Sequence, residues 1–383
     1  MKKRKILFVT ERRADYSRLK PIMKLVKASP KLKLQLVVTG VHFLKSFGET
    51  KRILEADGFR ADREIPVLRA SDKDDGAAMA RAFGQYVLKL TDAVEKLKPD
   101  IIFCGFDLGA HLAAALVGVH LNIPVAHLQG GERSGTIDEM LRHATTKFSH
   151  LHFVATKESR ERVIKLGENP RCVFLVGSPS LDTIKSIWYG SRKNTLSKYK
   201  LDTNKPLIVF LQHPVTTEEK DVERQIRESI EALKKAKKRY DAQVFAVYSN
   251  NDAGGKRIIA SLKRSGFRVK PHVPYEDFLR LLKVADVLVG NSSTGIHEAP
   301  SFGLPAVNVG TRQQFRERGI NVLDVPNEQR AILKAIGRVL TDTKLKASIK
   351  KGKNPYDHGN TARQVVRILE RVKLPPVQKV IRY

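Results

Sequence analysis

The residue types able to move protons are concentrated between positions 100 and 152. There the chain carries Asp107, then Gln129-Gly130-Gly131-Glu132, then Asp138, Glu139, Arg142 and His143. Carboxylates and imidazoles give and take protons near neutral pH, and the backbone N–H groups of a glycine pair can approach a ligand closely. Two apolar runs, 101–104 and 123–126, each end in polar and glycine residues, and the Ala- and Leu-rich run 112–121 lies between them. This reads as strand, helix and strand, which in a parallel sheet cross over right-handed. Open α/β sheets bind ligands beyond the carboxyl ends of their strands. Asp107, Gln129 and Glu132 fall at those ends. Thr136 is placed to cap the following helix, with Glu139 three residues on as in a capping box.

A second set of polar residues lies in the other half of the chain. Gly290-Asn291-Ser292-Ser293-Thr294-Gly295 follows an apolar run and opens a helix over 296–302. Serine hydroxyls and backbone N–H groups at a helix N-terminus suit a diphosphate. Glu298, one turn in, is placed to accept from ribose hydroxyls, and Arg312, at the end of the next strand, offers a fork of donors to phosphate. A capped helix with no ligand accounts for the same stretch. His213 ends another strand, before a proline. It reads as a proton carrier or phosphate donor, or equally as a structural histidine. In the first half, Arg13 stands where an opening strand turns into a helix. No glycine lies in that turn, so it is not a dinucleotide fingerprint. Anion binding there rests on Arg13 and helix amides, and a solvated Arg pair at a helix start is the other reading. His150 and His152 alternate on a strand-like segment with no metal set nearby, and read as structural.

The elements that must position these groups alternate strand and helix twice over. In the first half, strands are predicted over 5–10, 34–39, 65–68, 101–104, 123–126, 151–155 and 173–176. An amphipathic helix over 79–97 and another over 157–166 separate some of them. The Gly177-Ser178-Pro179-Ser180 turn marks a boundary, with Ile187, Trp188 and Tyr189 available to pack a linker helix. The second half restarts with strands over 207–211, 243–248, 267–270, 287–289 and 304–309. Helices are predicted over 218–238, 256–265, 275–284 and 296–302, and the chain finishes with helices over 328–351 and 361–371. Such alternation implies two doubly wound α/β domains.

Composition narrows the function classes. Hydrophobic residues make up 42% of the 383, enough to fill two cores, which excludes a disordered chain. No apolar run is long enough to span a bilayer, and the run after the basic head MKKRK is too short for a signal peptide, so a cytoplasmic protein is expected. Cys104 and Cys172 lie far apart in apolar strands and read as buried free thiols. Lys and Arg number 70 against 40 Asp and Glu, a net charge of +30. Such a field draws anions: a nucleic acid, a membrane surface or a phosphorylated metabolite. The basic residues are spread along the whole length, without a basic tail, zinc-finger spacing or RNP-like aromatic motif, which argues against specific nucleic-acid recognition.

On these stretches the chain resembles the hydrolysing UDP-N-acetylglucosamine 2-epimerases of sialic-acid biosynthesis, including the epimerase half of the bifunctional animal enzyme. The matching blocks are RADYSRLKPIM, LNIPVAHLQGGERSGTIDEMLRHATTKFSHLHF, VGSPSLD, LQHPVTTEE, NNDAGGK, GNSSTGIHEAPSFGLPAVNVGTRQ and NVLDV. The resemblance implies a GT-B-like fold: two Rossmann-like doubly wound domains, over 1–180 and 181–355, with the active site in the cleft between them. The C-terminal helix and tail, 356–383, would cross back to the first domain. It further implies UDP binding through Ser292, Ser293, Glu298 and Arg312 with Arg13 reaching across, Asp252 and Arg142 among the substrate-binding residues, and acid–base chemistry at Asp107, Gln129, Asp138 and His213. No metal or redox cofactor is implied, and a homodimer or homotetramer is expected. The implied reaction removes the sugar C2 proton, expels UDP to leave a glycal, and adds water to give N-acetylmannosamine.

Two departures from the family pattern touch this site. Gln129 stands where the family has a glutamate, and an amide cannot exchange a proton as a carboxylate does. Phe106-Asp107-Leu108 replaces Gly-Asp-Arg. They imply a retuned epimerase, acting on UDP-N-acetylglucosamine or a di-N-acetylated bacillosamine nucleotide, or a nucleotide-sugar binder without turnover. A glycosyltransferase on the same fold is a third reading.

Overall fold

The computed structural model describes residues 2–382; Met1 and Tyr383, the outermost residues of the expected first domain and tail, lie outside the described residues. Two compact units result. One comprises Met1–Glu132, Ile137–Asp182 and Tyr356–Tyr383, the other Arg133–Thr136 and Thr183–Pro355.

The first unit is built on seven strands: β1 (Arg4–Thr10), β2 (Leu32–Thr39), β3 (Arg63–Ile65), β4 (Ile101–Gly105), β5 (Val125–Leu128), β6 (Leu151–Val154) and β7 (Val173–Leu175). Their order is β3-β2-β1-β4-β5-β6-β7, and every pairing is parallel. The central strands β1, β4 and β5 are largely apolar and buried because helices cover both faces. On one face Phe8 stacks on Phe103 at 4.7 Å, and Phe103 on Phe153 at 5.9 Å, with the small Ala126 paired to Phe103 in the strand between. The helix Arg13–Ala28 packs on this face together with the last helix, Thr361–Arg371, which buries Val365 and Leu369 there. Asp182 accepts from Thr361 N at 3.0 Å and Ala362 N at 2.6 Å, so a carboxylate closes the positive end of that helix. The other face is covered by the helices Gly76–Leu97 and Gly109–His120, whose alanines at 113–115 let it lie close on the sheet.

The second unit has six strands: β8 (Leu207–Leu211), β9 (Gln243–Val247), β10 (Arg268–Lys270), β11 (Val287–Gly290), β12 (Ala306–Val309) and β13 (Val322–Val325). Their order is β10-β9-β8-β11-β12-β13, again all parallel. The order of each sheet reverses once, between β1 and β4 and between β8 and β11. Those switch points are where an open α/β sheet leaves a crevice at its strand ends. Asp107 and Arg13 lie at the first, and His213 and Ser292 at the second.

Several expected elements shift for local reasons. The strand expected over 65–68 is β3, because Pro66 has no N–H to give a ladder. The helix over 296–302 is a single turn, Thr294–His297, followed by the 3-10 turn Ala299–Phe302, with Pro300 at the junction. The helix over 328–351 is two, because Asp342 turns its side chain to accept from Leu345 N at 2.9 Å and starts Thr343–Lys351. The helix over 218–238 begins only at Val222, after a 3-10 stretch Thr216–Asp221. Trp188 does not pack the linker and is 76% exposed, whereas Tyr189 packs edge-on to Phe302. Cys104 is buried in β4, but Cys172 ends a 3-10 turn and is half-buried.

Candidate active site

At the first switch point the end of β4 is tied to the turn after β1. Asp15 accepts from Glu11 N at 2.8 Å and Arg12 N at 2.9 Å, and faces His111 Nε2 at 2.9 Å. His111 Nδ1 accepts from Gly105 N at 2.9 Å, so its proton sits on Nε2 and is donated to Asp15. Burial alone would raise the Asp15 pKa; the hydrogen bond from His111, with that from the Glu11 backbone, outweighs it and holds the carboxyl down. Arg13 opens the helix beside this knot. Burial pushes its pKa down to about 10, which leaves it a cation at neutral pH.

Past Gly105 the chain enters the left-handed region at Phe106, φ 69°. The turn is held by His127, whose Nε2 lies 3.1 Å from Phe106 O and whose Nδ1 lies 3.2 Å from Thr146 Oγ1. Burial drives this histidine down to about 3, so it is neutral and donates to Phe106 O. Asp107, next in the chain, is thereby aimed at Arg142. Arg142 Nη2 donates to Asp107 Oδ2 at 2.6 Å, and Nη1 to Glu139 Oε2 at 3.0 Å and to Glu132 O at 3.0 Å. Arg142 is only 1% exposed. Burial would lower its pKa, but Asp107, Glu132 and Asp138 raise it overall, so it is a fixed cation.

The end of β5 makes a second turn of the same kind. Gln129 sits at φ 61° and Gly131 at φ 79°. A Cβ on Gly131 would lie 2.4 Å from Ser159 O, and one on Gly130 2.7 Å from His127 Nδ1, so neither position admits a side chain. This tight fold brings residues three apart together: Gln129 Nε2 donates to Glu132 Oε1 at 2.8 Å, with both side chains buried. Asp138 and Glu139 start the helix Asp138–Phe148. Ile137, rather than Thr136, occupies the cap position of this helix, in helical conformation. Thr136 belongs to the short stretch that joins the second unit, where Gly135 N donates to Arg312 O at 3.1 Å. Glu139 turns to Arg142 and to His143 Nε2, 2.9 Å away, instead of back to the cap.

In the second unit the geometry is made by backbone and neutral amides. Gly290 adopts φ 128°, and a Cβ there would lie 2.1 Å from Leu211 O, its partner across the sheet. This lets Asn291 bracket His213: Oδ1 accepts from His213 N at 2.7 Å and Nδ2 donates to His213 O at 2.8 Å. Asn250 N donates to His213 Nδ1 at 3.1 Å, which places the proton of the neutral imidazole on Nε2. Asn250 also donates to Asp252. Ser292 and Ser293 continue the turn, and Arg312 Nη1 lies 3.5 Å from Asn291 O. Glu298 is buried, at 2% exposure. Because the helix after Gly290 is one turn long, its dipole is small. The donors this edge presents are hydroxyls, loop N–H groups and Arg312.

The residues singled out in the sequence therefore fall into two groups. Asp107, Gln129, Asp138 and Arg142 gather in the first unit, linked through Glu132 and Glu139. His213, Asp252, Ser292, Ser293, Glu298 and Arg312 belong to the second. Asn291, the Asp15–His111 pair and the Gln129–Glu132 contact escaped sequence reasoning. A polar residue directly after a strand-ending glycine was the available signal for Asn291. His150 and His152 are bound to Val377 O, at 2.9 Å, and to Glu168, at 3.2 Å. Among the described residues no group of His, Cys, Asp and Glu is arranged to hold a metal, and no helix is long and apolar enough to cross a membrane.

The chain matches the family model described as UDP-N-acetylglucosamine 2-epimerase over residues 24–370. It is 38% identical, over 97% of each chain, to the hydrolysing UDP-N,N'-diacetylbacillosamine 2-epimerase of Legionella pneumophila. It is 31% identical to the UDP-N-acetylglucosamine 2-epimerase of Neisseria meningitidis serogroup B, over 98% of this chain and 97% of that one. Among solved structures, the Neisseria meningitidis UDP-GlcNAc 2-epimerase bound to UDP-GlcNAc superposes with a TM-score of 0.80 at 19% identity, covering 95% of this chain and 99% of that one. The Methanocaldococcus jannaschii enzyme gives 0.77 over the same shares. This likeness shows the GT-B-like fold of two Rossmann-like units. With full-length relatives above 30% identity and a family model spanning most of its residues, the chain belongs to the UDP-N-acetylglucosamine 2-epimerase family.

Proposed function

We propose that the protein is a hydrolysing 2-epimerase. It takes UDP-N-acetylglucosamine, or a di-N-acylated relative, with water to UDP and the free 2-epimeric sugar, an N-acetylmannosamine-type precursor of sialic-acid-like sugars. The observation that carries this reading is the cluster of carboxylates around the buried Arg142 at the ends of β4 and β5. Hydrolysis rather than simple inversion is supported by two relatives whose names state it, at 38% and 32% identity.

In this reading the second unit holds UDP. Ser292, Ser293 and Arg312 bind the diphosphate, and Asp252 and Glu298 take part in nucleotide binding. Arg13 supplies a further cation. His213 presents Nε2–H, and a donor there stabilises the charge that grows on the departing phosphate oxygen. The first unit acts on the sugar. The C2 proton is only weakly acidic, so its removal must be coupled to the departure of UDP. A carboxylate takes that proton as the C1–O bond breaks, leaving a C1–C2 double bond. Water then adds its oxygen to C1 while a second group delivers a proton to the opposite face of C2. Two proton-handling groups are needed: Asp107 and Glu139 pair with Arg142 directly, and Asp138 and Glu132 lie within its electrostatic reach.

A proton NMR time course in deuterated water, with each of the two UDP-sugars, tests this. The expected result is stoichiometric UDP and free sugar carrying deuterium at C2. Interconversion of two UDP-sugars without free sugar would overturn hydrolysis. A second reading, a nucleotide-sugar binder without turnover, is favoured by one observation, the amide at Gln129. It predicts ligand-induced shifts with the sugar nucleotide unconsumed.

A further inference from the structure

We infer that Glu132 is the carboxylate that performs the proton transfer for which Gln129 is unfit, and that Gln129 is its positioning residue. This rests on the 2-epimerase reading above. The turn after β5 supplies the geometry. Gln129 at φ 61° and Gly131 at φ 79°, with the glycine pair packed against Ser159 O and His127, fold positions 129 and 132 onto each other. Both side chains are buried, at 2% and 3% exposure. The contact is Gln129 Nε2 to Glu132 Oε1 at 2.8 Å.

The chemistry of an amide facing a carboxylate fixes which atom points where. A carboxylate only accepts, so the NH₂ of Gln129 must face Glu132, and Oε1 must point away. That oxygen is buried without a protein partner. An orphan acceptor beside a charged group is the feature expected where a substrate hydroxyl or acylamino N–H docks. A glutamate at 129 would set two carboxylates side by side, and such a pair shares one proton. With an amide at 129 only one carboxylate remains in the pair. It lies in the field of Arg142, whose Nη1 donates to the Glu132 carbonyl at 3.0 Å. The proton-accepting group has thus moved three residues along the chain while staying within the same turn.

Three variants of the full-length protein test this: Glu132→Gln, Gln129→Glu, and the two combined. A glutamine at 132 still accepts from Gln129 Nε2, so the hydrogen bond and packing survive while the ionisation is lost. The expected result is a fall in kcat of about 10²–10⁴-fold, the usual loss for one general acid–base group. UDP affinity and Tm should stay at the parent values, and the acid limb of the kcat–pH profile should disappear. The combined variant reverses the pair and should recover to within about tenfold of the parent. Gln129→Glu alone should stay active and gain an ionisation in its pH profile, because two adjacent carboxylates then share a proton. A Glu132→Gln enzyme within a few-fold of the parent, with an unchanged pH profile, would overturn the assignment and leave the epimerase reading standing. So would a combined variant as impaired as Glu132→Gln. If the parent itself releases no UDP from either sugar nucleotide, the epimerase reading fails, and the role of Glu132 fails with it.

Discussion

At the ends of β4 and β5 the first unit gathers charged side chains around one buried guanidinium, whereas at the ends of β8 and β11 the second unit relies on amides, hydroxyls and backbone. In the first, Arg142 holds Asp107 and Glu139 directly and the Glu132 carbonyl as well. In the second, Asn291 brackets His213 with two neutral hydrogen bonds, and Gln313 Nε2 donates to Asn291 O at 2.9 Å. Both edges need the chain to turn through positive φ where a strand ends. The second unit uses glycine for this, Gly290 at 128° and Gly310 at 76°, while the first uses Phe106 at 69° and Gln129 at 61°. A non-glycine residue there costs roughly 1–2 kcal/mol. The first edge accepts that cost because its side chains are wanted: Gln129 meets Glu132, and Phe106 stacks edge-on to His111. Under the function proposed above, the difference matches two tasks. An edge that must move a proton from carbon needs fixed charges of its own. An edge that receives a diphosphate supplies donors and leaves the negative charge to the ligand.

The sharpest way to break this comparison is to remove the cation from the first edge. Arg142→Met keeps most of the unbranched stem but removes the guanidinium that Asp107 and Glu139 share. Breaking a buried pair from one side costs about 3–5 kcal/mol. Urea denaturation should show that loss, and turnover should fall below detection. A variant with parent-like stability would mean that the carboxylates are solvated well enough without Arg142, and the first edge would not be organised by charge. The corresponding damage to the second edge is a methyl group. Gly290→Ala forces a Cβ to within 2.1 Å of Leu211 O at a φ that alanine avoids. We expect a loss of about 3 kcal/mol, together with weaker UDP binding as Asn291 and His213 shift. Unchanged UDP affinity, measured calorimetrically, would count against a backbone-built nucleotide site.

A subtler exchange transplants the first edge's device into the second. Asn291→Asp still accepts from His213 N, but it cannot donate to His213 O and it brings a negative charge to the turn. Losing one buried donor costs about 1–3 kcal/mol. The added charge should weaken UDP binding by about tenfold, equivalent to about 1.4 kcal/mol. The same charge favours protonated His213, so the pH profile of turnover should move upward. If affinity for UDP is unchanged, Asn291 is not near the anion.

How much of this was legible in the sequence follows from the range of the interactions. The strands were, because short apolar runs ended by Gly, Asn or Ser need only local information, and the alternation of strand and helix then implies parallel sheets. The resemblance led correctly to the family and the fold. The places where the reading slipped each depend on something non-local or on a single backbone torsion. The cap position falls on Ile137 rather than Thr136, and 133–136 belongs to the second unit. The Asn291–His213 bracket joins residues 78 apart. The Gln129–Glu132 contact requires left-handed backbone at both Gln129 and Gly131, which a Gln-Gly-Gly-Glu string permits but does not dictate. Asp342, lying in what reads as one amphipathic helix, acts as a cap because its side chain wins the N–H of Leu345.

The smallest effect we expect comes from acid, and it should fall on the first unit first. That unit buries His42, His127 and His152, all of them shifted downward by desolvation, His42 to about 4 and His127 to about 3. A histidine with a folded-state pKa below its unfolded value of about 6.5 is neutral in the native protein and protonated in the unfolded chain below that pH. The unfolded state then binds more protons, so stability falls as the pH drops. Each such group contributes its full effect above about pH 6.5, and the contribution declines by at most about 1.4 kcal/mol per pH unit on the way down. His127 holds Phe106 O and Thr146, and its charging would loosen the turn that aims Asp107. Glu168 behaves in the same direction over a lower window. Burial opposes its ionisation, but His152, Lys147 and Lys379 bring its pKa down to about 2, so its contribution is present above the ordinary carboxylate range and is lost as the pH falls toward 2. Amide hydrogen exchange on the intact chain at pH 7 and pH 5 separates the units in one experiment. Once the intrinsic slowing of exchange toward acid is corrected for, lower protection at pH 5 in peptides from β4, β5 and the helix Asp138–Phe148, with protection of β8 and β11 unchanged, is the expected pattern. Earlier loosening around Gly290 and His213 would show that the charge-built edge is the more acid-resistant of the two.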